Sequence, residues 1–376
     1  MASFLPWLPW LLAALLSVYL LDLLAHSRRL LPAGPRPLPL IGSLHLLGDQ
    51  PHRSLAGLAK MYGPLMSLRL GAVTTVVVSS PDVAREFLQR HDAAFASRSV
   101  PDATDDHATN SVAWLPNSPR WRALRRIMAA ELFAPHRLDA LRRLRREKVQ
   151  ELVDHVARLA EREGGAAADL FAAGSDTSSS IVEWAIAELM RNPLCMIRAC
   201  DELSQVIGSG TNIEESDIGQ LPYLQAVVKE TFRLHPPVPL LLPRQAETTT
   251  NIAGYTIPKG ARVFVNVWAI GRHKDTWSQP EKIMPERFFE RNIDFRGVHF
   301  ELIPFGKGRR ICPGMPLANR MVHLVLGSLL NQFKWNLPVD IERNGIDMSE
   351  KFGLTLVKAI PLCALVTPIS VESGDH

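Results

Sequence analysis

Cysteine is scarce in this chain, with four among 376 residues, at Cys195, Cys200, Cys312 and Cys363. Their spacing matches neither a zinc pattern nor a disulfide framework, so a reducing compartment is expected. Aromatic residues are also few, at 7%, and no basic patch is interleaved with them. The net charge of +4 is a mild excess and gives no argument for nucleic acid as a partner. Internal repeats are absent, and β-rich stretches are short. What remains is 47% hydrophobic residues, set mostly at helical periodicity and ample for a buried core. The chain is expected to be mainly α with small β-sheets.

Lysine and arginine are missing ahead of the first apolar run, Phe4 to Ala25, in which Asp22 is the one charge. The run is about long enough to span a bilayer as a helix. Trp7 and Trp10 sit near one end, and Arg28 and Arg29 follow the other. That distribution favours a retained anchor with the main domain in the cytosol. A cleaved signal peptide is the competing reading; it lacks a basic leader and a small-residue cleavage site here. Leu31 to Pro39 holds four prolines, so it reads as a stiff extended hinge or a generic linker. The expected organisation is an anchor over 1–27, a hinge over 28–42 and one catalytic body over 43–376.

The densest signal is Phe305-Gly306-Lys307-Gly308-Arg309-Arg310-Ile311-Cys312-Pro313-Gly314, followed by a helical pattern from Leu317 through Leu330. An isolated cysteine is more often a small buried hydrophobe than a ligand. That reading leaves the phenylalanine, glycines and arginine at their offsets unexplained. Glycines let a backbone turn tightly and approach a flat ligand. Arginines nearby lower a thiol's pKa and can hold acidic groups of a cofactor. A lone thiolate beside arginines suits haem iron, whose propionates need cations.

Weaker constellations accompany the loop. Trp121 and Arg125 stand four apart, on one helical face, and can both donate to a carboxylate. Ala173-Gly174-Ser175-Asp176-Thr177 opens a helical pattern through Met190, and its Asp-Thr also reads as an ordinary N-cap. Glu230 and Arg233 form E-x-x-R, and Pro285-Glu286-Arg287-Phe288 follows downstream. Between them the prolines of Leu234 to Arg244 force an extended path. Arg120, Arg122, Arg126, Arg137, Arg142, Arg143, Arg145 and Arg146 read mostly as a solvated face.

Taken together these motifs resemble the cytochrome P-450 superfamily of haem-thiolate monooxygenases. Glu214 through Arg244 and Ile303 through Trp335 look most like plant microsomal enzymes of the geraniol and diterpene hydroxylase branch. The resemblance implies the cytochrome P-450 fold, with Cys312 as the iron ligand in a loop that includes Phe305 and Gly314. It implies that Trp121, Arg125, Arg244 and Arg310 hold the haem propionates. Asp176 and Thr177 would deliver protons during oxygen activation. Val238 and Leu240 would face substrate from a strand beside the haem, although plain core packing would serve them equally. Glu230, Arg233 and Arg287 would brace the haem loop. The implied partners are an NADPH-dependent flavoprotein reductase, an apolar small-molecule substrate such as a terpenoid, and membrane lipid at the endoplasmic reticulum.

The resemblance breaks in one place. The helical pattern from Arg146 ends near Glu163, and Gly164-Gly165-Ala166-Ala167-Ala168 leads almost directly to Leu170 and the Ala173–Thr177 motif. Several helices normally lie between, including the pair that roofs the substrate pocket. An internal deletion near 164–170 is therefore expected, with a fold incomplete on its distal side. A splice form, an incorrect gene model and a divergent protein all account for it. So the chain is expected to be either a monooxygenase or a catalytically impaired, membrane-anchored form.

Overall fold

The computed structural model describes residues 7–27, 30–100, 110–162, 166–167, 176–296 and 299–369; the side chains of residues 15, 19–27, 162, 166–167 and 176 are outside it. Helix α1, Leu8–Ser27, lies within the predicted apolar anchor. Among the described residues no helix is long and apolar enough to cross a membrane, and about half of α1's side chains fall outside them.

The N-terminal half carries α2 (Pro51–Tyr62), α3 (Pro81–Arg85), α4 (Pro119–Ile127), α5 (Pro135–Ala140) and α6 (Arg142–Arg162). The C-terminal half adds α7 (Asp176–Arg191), α8 (Pro193–Val206), α9 (Pro222–Leu234), α10 (Val267–Ile270), α11 (Arg287–Glu290), α12 (Met315–Gln332) and α13 (Val339–Asn344). The strands are β1 (Leu65–Leu70), β2 (Val73–Val78), β3 (Ser97–Arg98), β4 (Ala166–Ala167), β5 (Arg244–Gln245), β6 (Thr250–Ile252), β7 (Tyr255–Ile257), β8 (Arg262–Val265), β9 (Phe333–Asn336), β10 (Glu350–Lys351), β11 (Val357–Lys358) and β12 (Ala364–Pro368). The mainly helical expectation with small sheets is met.

One sheet has five strands in the order β1-β2-β8-β5-β3, with β2 and β8 parallel and the other pairs antiparallel. Its Val-rich strands pack over Phe87, Phe95 and Phe300 as one core. The larger core is a bundle of α6, α7, α8, α9 and α12. Helix α7 is buried on every side from Ser180 through Leu189, so it runs through the centre of the bundle. Helix α12 starts with Pro316 in its first turn, where a missing N–H costs nothing. At Gly327 a Cβ would lie 2.6 Å from Ile213 Cδ1, so the glycine lets the neighbouring chain come close.

The proline segment is not a free linker. Ser67 N donates to Ala33 O at 3.0 Å and Ser67 Oγ to Pro32 O at 2.6 Å. At Gly34 a Cβ would lie 1.8 Å from Ser67 O, so only glycine fits against β1.

Candidate functional site

The segment Phe305–Gly314 folds as a tight loop leading into α12. Gly306 and Gly308 hold φ of 69° and 70°, the left-handed region that favours glycine. At Gly308 a Cβ would meet Leu88 O at 2.2 Å. Asp92 pins the loop from outside, accepting from Arg309 N at 3.1 Å and pairing with Arg309 Nε at 3.2 Å. Phe305 wedges against Phe232 and Phe295, with ring centroids 5.0 and 5.2 Å away. Cys312 N donates to Phe305 O at 2.9 Å, closing the loop.

Cys312 lines a cavity of about 880 Å³ between α4, α6, α7, α12 and the turns after α9. Burial pushes its thiol pKa up. The N–H groups of Gly314 and Met315, which donate to its sulfur, and the charge of Arg125 pull the other way. The environment thus favours a sulfur neutralised by a bound cation over a free thiolate.

Four arginines share the cavity wall. Arg98 donates to Ala113 O at 3.1 Å and Leu242 O at 2.5 Å. Burial, then the charges of Arg244, Arg310 and Arg125, push its pKa down to about 8. Arg244 donates to Lys307 O at 2.6 Å, but its buried Nη1 has no partner among the described residues. Arg310 donates to Ala96 O at 2.5 Å and Leu115 O at 2.6 Å and stacks 3.9 Å over Trp121. Arg125 lies 5.9 Å from the same ring. A guanidinium does not deprotonate readily in a protein. A cluster of like charges with an orphaned N–H therefore calls for an anion. Two carboxylates on a flat ligand beside Cys312 meet that demand, so the residues fit a haem.

The structure brings Trp121, Arg125, Arg244, Phe305, Arg310, Cys312, Gly314, Thr177 and Val238 to one cavity. Trp121 spends its indole N–H on Val112 O at 3.2 Å, so its contribution is the surface on which Arg310 stacks. Thr177 is exposed in the first turn of α7; Ala173 to Ser175 and the Asp176 side chain lie outside the described residues.

Leu240 is a correction. It is 7% exposed and packs with Leu55, Leu58, Met66, Leu68 and Val77, away from the cavity. The expected strand over this stretch is a series of bends. Leu241 N donates to Val238 O at 3.0 Å, and Leu241 takes a φ of 50°. That turn breaks the alternation of an extended chain, so Leu241 and Leu242 line the cavity in place of Leu240.

Sequence reasoning missed Arg98, Leu241, Leu242 and the α6 residues Val149 and Leu152, all on the cavity wall. Arg98 stands in no motif; only its pairing on β3 with Arg244 on β5 places it. The α6 pair is legible as apolar residues on a helix, but not which wall they face. Glu230, Arg233 and Arg287 meet away from the cavity. Glu230 accepts from Arg233 Nε and Nη2 at 2.7 Å each and from Arg287 Nε at 3.0 Å, all buried. Arg145 leaves the solvated face to pair with Glu215 at 2.6 Å.

Fold and site define a protein with a cysteine-anchored haem pocket inside a mainly helical body. A family model described as Cytochrome P450 matches residues 32–167 and 164–360. The chain belongs to the cytochrome P450 family of monooxygenases. It is 40% identical to the geraniol 8-hydroxylase of Swertia mussotii over 474 residues, covering 93% of this chain and 96% of that one. It is 41% identical to the geraniol 8-hydroxylase of Catharanthus roseus, covering 91% and 95%. It is also 36% identical to a geranylhydroquinone 3''-hydroxylase of Arnebia euchroma, covering 96% and 99%. These plant relatives agree with the branch that the sequence resembles. A zebra fish cytochrome P450 solved with progesterone shares the fold, with a TM-score of 0.72 at 24% identity, covering 85% of this chain and 99% of that one.

Proposed function

We propose that this chain hydroxylates an apolar terpenoid, using dioxygen and electrons from an NADPH-dependent reductase, with its body held at the endoplasmic reticulum membrane by residues 1–27. The observation that carries the reading is Cys312 in an apolar cavity beside four arginines, one with a buried orphan N–H. Cys312 would ligate the iron, and Arg98, Arg125, Arg244 and Arg310 would hold the propionates. When bound, the haem supplies dioxygen activation and insertion of one oxygen atom into a C–H bond.

The chain's own residues do the rest. The Gly314 and Met315 N–H groups, at the start of α12, stabilise negative charge on the sulfur. Val182, Phe232, Val238, Leu241 and Leu242 give the apolar wall that holds a hydrocarbon and keeps out water. Thr177 and Ser178 line the cavity, and their hydroxyls can pass a proton from solvent. The exposed arginines of α4 to α6 suit an acidic electron donor, acting mainly on encounter rate. Cys312→Ser should remove both the thiolate-type Soret band of the reduced, carbon monoxide-treated protein and all oxygenation. A retained band would mean that another residue ligates the iron.

An impaired form is the second reading. Thr177 is exposed at the first turn of α7. The family match comes in two segments meeting at residues 164–167, and one relative aligns over 474 positions against a chain of 376. Both support an internal deletion near 164–170 that removes the distal roof. An open roof would admit water and loosen substrate positioning. Sequencing the native transcript and assaying terpenoid turnover with a reductase decides between the readings. A transcript without the segment and turnover near zero would establish the impaired form.

A further inference from the structure

A second cleft, of about 330 Å³, lies among α9, α12, residues 215–219 and residues 295–296, and it shares no lining residue with the Cys312 cavity. His323 is 3% exposed, and its Nδ1 lies 2.6 Å from Asn319 O. A carbonyl only accepts, so Nδ1 carries the ring proton and Nε2 presents a lone pair. That buried Nε2 has no donor among the described residues. Burial, with the charges of Arg296 and Lys229, holds the imidazole's pKa down to about 4, so the ring is neutral at pH 7.

Lys229 faces the same cleft with its side chain 14% exposed, and its Nζ is 3.8 Å from Asp294, beyond hydrogen-bond reach. Asp294 is already occupied by Arg296, through Nη2 at 3.0 Å and the backbone N–H at 2.7 Å. Arg320 spans Asp139 at 2.7 Å and Glu215 at 2.9 Å. Among the charged residues that line the cleft, Arg142, Lys229, Arg296 and Arg320 outnumber Asp139 and Glu215. A buried acceptor and an under-coordinated ammonium in one basic cleft specify a ligand that carries negative charge and also donates an O–H.

We propose that this cleft binds a phosphate group in a protonated form, its O–H donated to His323 Nε2 and its charged oxygens held by Lys229 and Arg296. Inorganic phosphate at pH 7 has such an O–H; sulfate has the charge without the proton. The neutral imidazole therefore discriminates between two anions of nearly equal size, because sulfate would set lone pair against lone pair.

The test is calorimetric titration of the full-length, haem-loaded protein at pH 7 with sodium phosphate, and in parallel with sodium sulfate. Phosphate should bind at least tenfold more tightly. Lys229→Met should weaken phosphate binding at least tenfold, and His323→Leu should abolish the preference over sulfate. Lys334→Ala, exposed on β9, should leave both affinities unchanged. Equal affinities for the two anions in the unmutated protein, or no binding of either, overturns the proposal without recourse to any variant. Vesicles of phosphatidylcholine with and without phosphatidate identify the source. Phosphatidate-dependent retention that free phosphate fails to displace assigns a lipid headgroup, whereas displacement at millimolar phosphate assigns a soluble one.

Discussion

Leu240 and Leu241 are neighbours of identical composition with opposite duties. The turn that sets Leu241 at a φ of 50° sends one side chain into the core under the sheet and the other to the cavity wall. Leu240→Ala should cost about 2–4 kcal/mol in urea unfolding and leave the affinity for a monoterpenoid unchanged. Leu241→Ala should change that affinity with a smaller loss of stability. Equal effects on ligand binding would put both leucines on the wall. Thr177→Ala should keep the haem but lower product formed per NADPH consumed by about half or more, with peroxide making up the difference. Adding Ser178→Ala should lower it further, because Ser178 lines the same cavity. An unchanged product-to-NADPH ratio in the double variant would remove both hydroxyls from proton delivery.

At the scale of elements, the chain ties its helices together with buried charge. Arg233 of α9 bonds both oxygens of Glu230 and also Gly271 O, Pro280 O and Lys282 O. Arg287 of α11 adds Ser278 O at 2.9 Å, and Glu230 also accepts from Met284 N at 2.8 Å. Trp277 lies 5.3 Å from Arg233 Cζ and 5.8 Å from Arg287 Cζ. All five N–H groups of Arg233 are spent, and each guanidinium nitrogen of Arg287 has a partner, so the knot fixes the path from α9 to the segment before the haem loop. Glu230→Gln should destabilise the protein by about 3 kcal/mol or more, since it leaves two buried guanidiniums unpaired. Bound haem should keep an ordinary thiolate spectrum at low denaturant. A loss below about 1 kcal/mol would mean that the backbone carbonyls alone hold the arginines.

Across the whole molecule, Glu350 on β10 links α2, which packs with Leu240 against β1 and β2, to α7 in the helical bundle. It accepts from Arg53 Nε at 2.7 Å and pairs with His52 at 3.1 Å, both on α2. Its other oxygen lies 4.0 Å from His235, which pairs with Glu188 of α7 at 2.9 Å and stacks on Trp184 at 4.0 Å. Burial alone would raise the Glu350 pKa, but the bonds from His52 and Arg53 bring it down to about 2. A carboxylate with a lowered native pKa contributes stability that is full above the ordinary value of 4.5 and lost as pH falls toward about 2. Glu350→Gln should therefore lower stability by about 2–3 kcal/mol at pH 7. The gap between variant and parent should close as pH falls through that window. A gap independent of pH in urea melts would show that Glu350 acts by packing and not by charge.

The local chemistry of the haem loop was legible in the sequence, because Phe305, the glycines, Arg310 and Cys312 act within one short segment whose spacing encodes its backbone. The E-x-x-R pair was legible for the same reason, since three residues along a helix is one turn. The mainly helical class followed from periodicity, and the phosphate-binding cleft was invisible because its residues come from segments scattered between Asp139 and His323. Arg98, Leu241 and the α6 wall residues were decided only by the tertiary structure. Arg98 gains its role by pairing across strands with Arg244, some 146 residues away in sequence. Leu240 was misplaced because the family resemblance carried it over as a substrate-facing residue of an extended segment, while a single left-handed residue, Leu241, turns the chain. Sequence sets local geometry and the chemistry available; which side chains share a cavity depends on long-range packing, which no local pattern encodes.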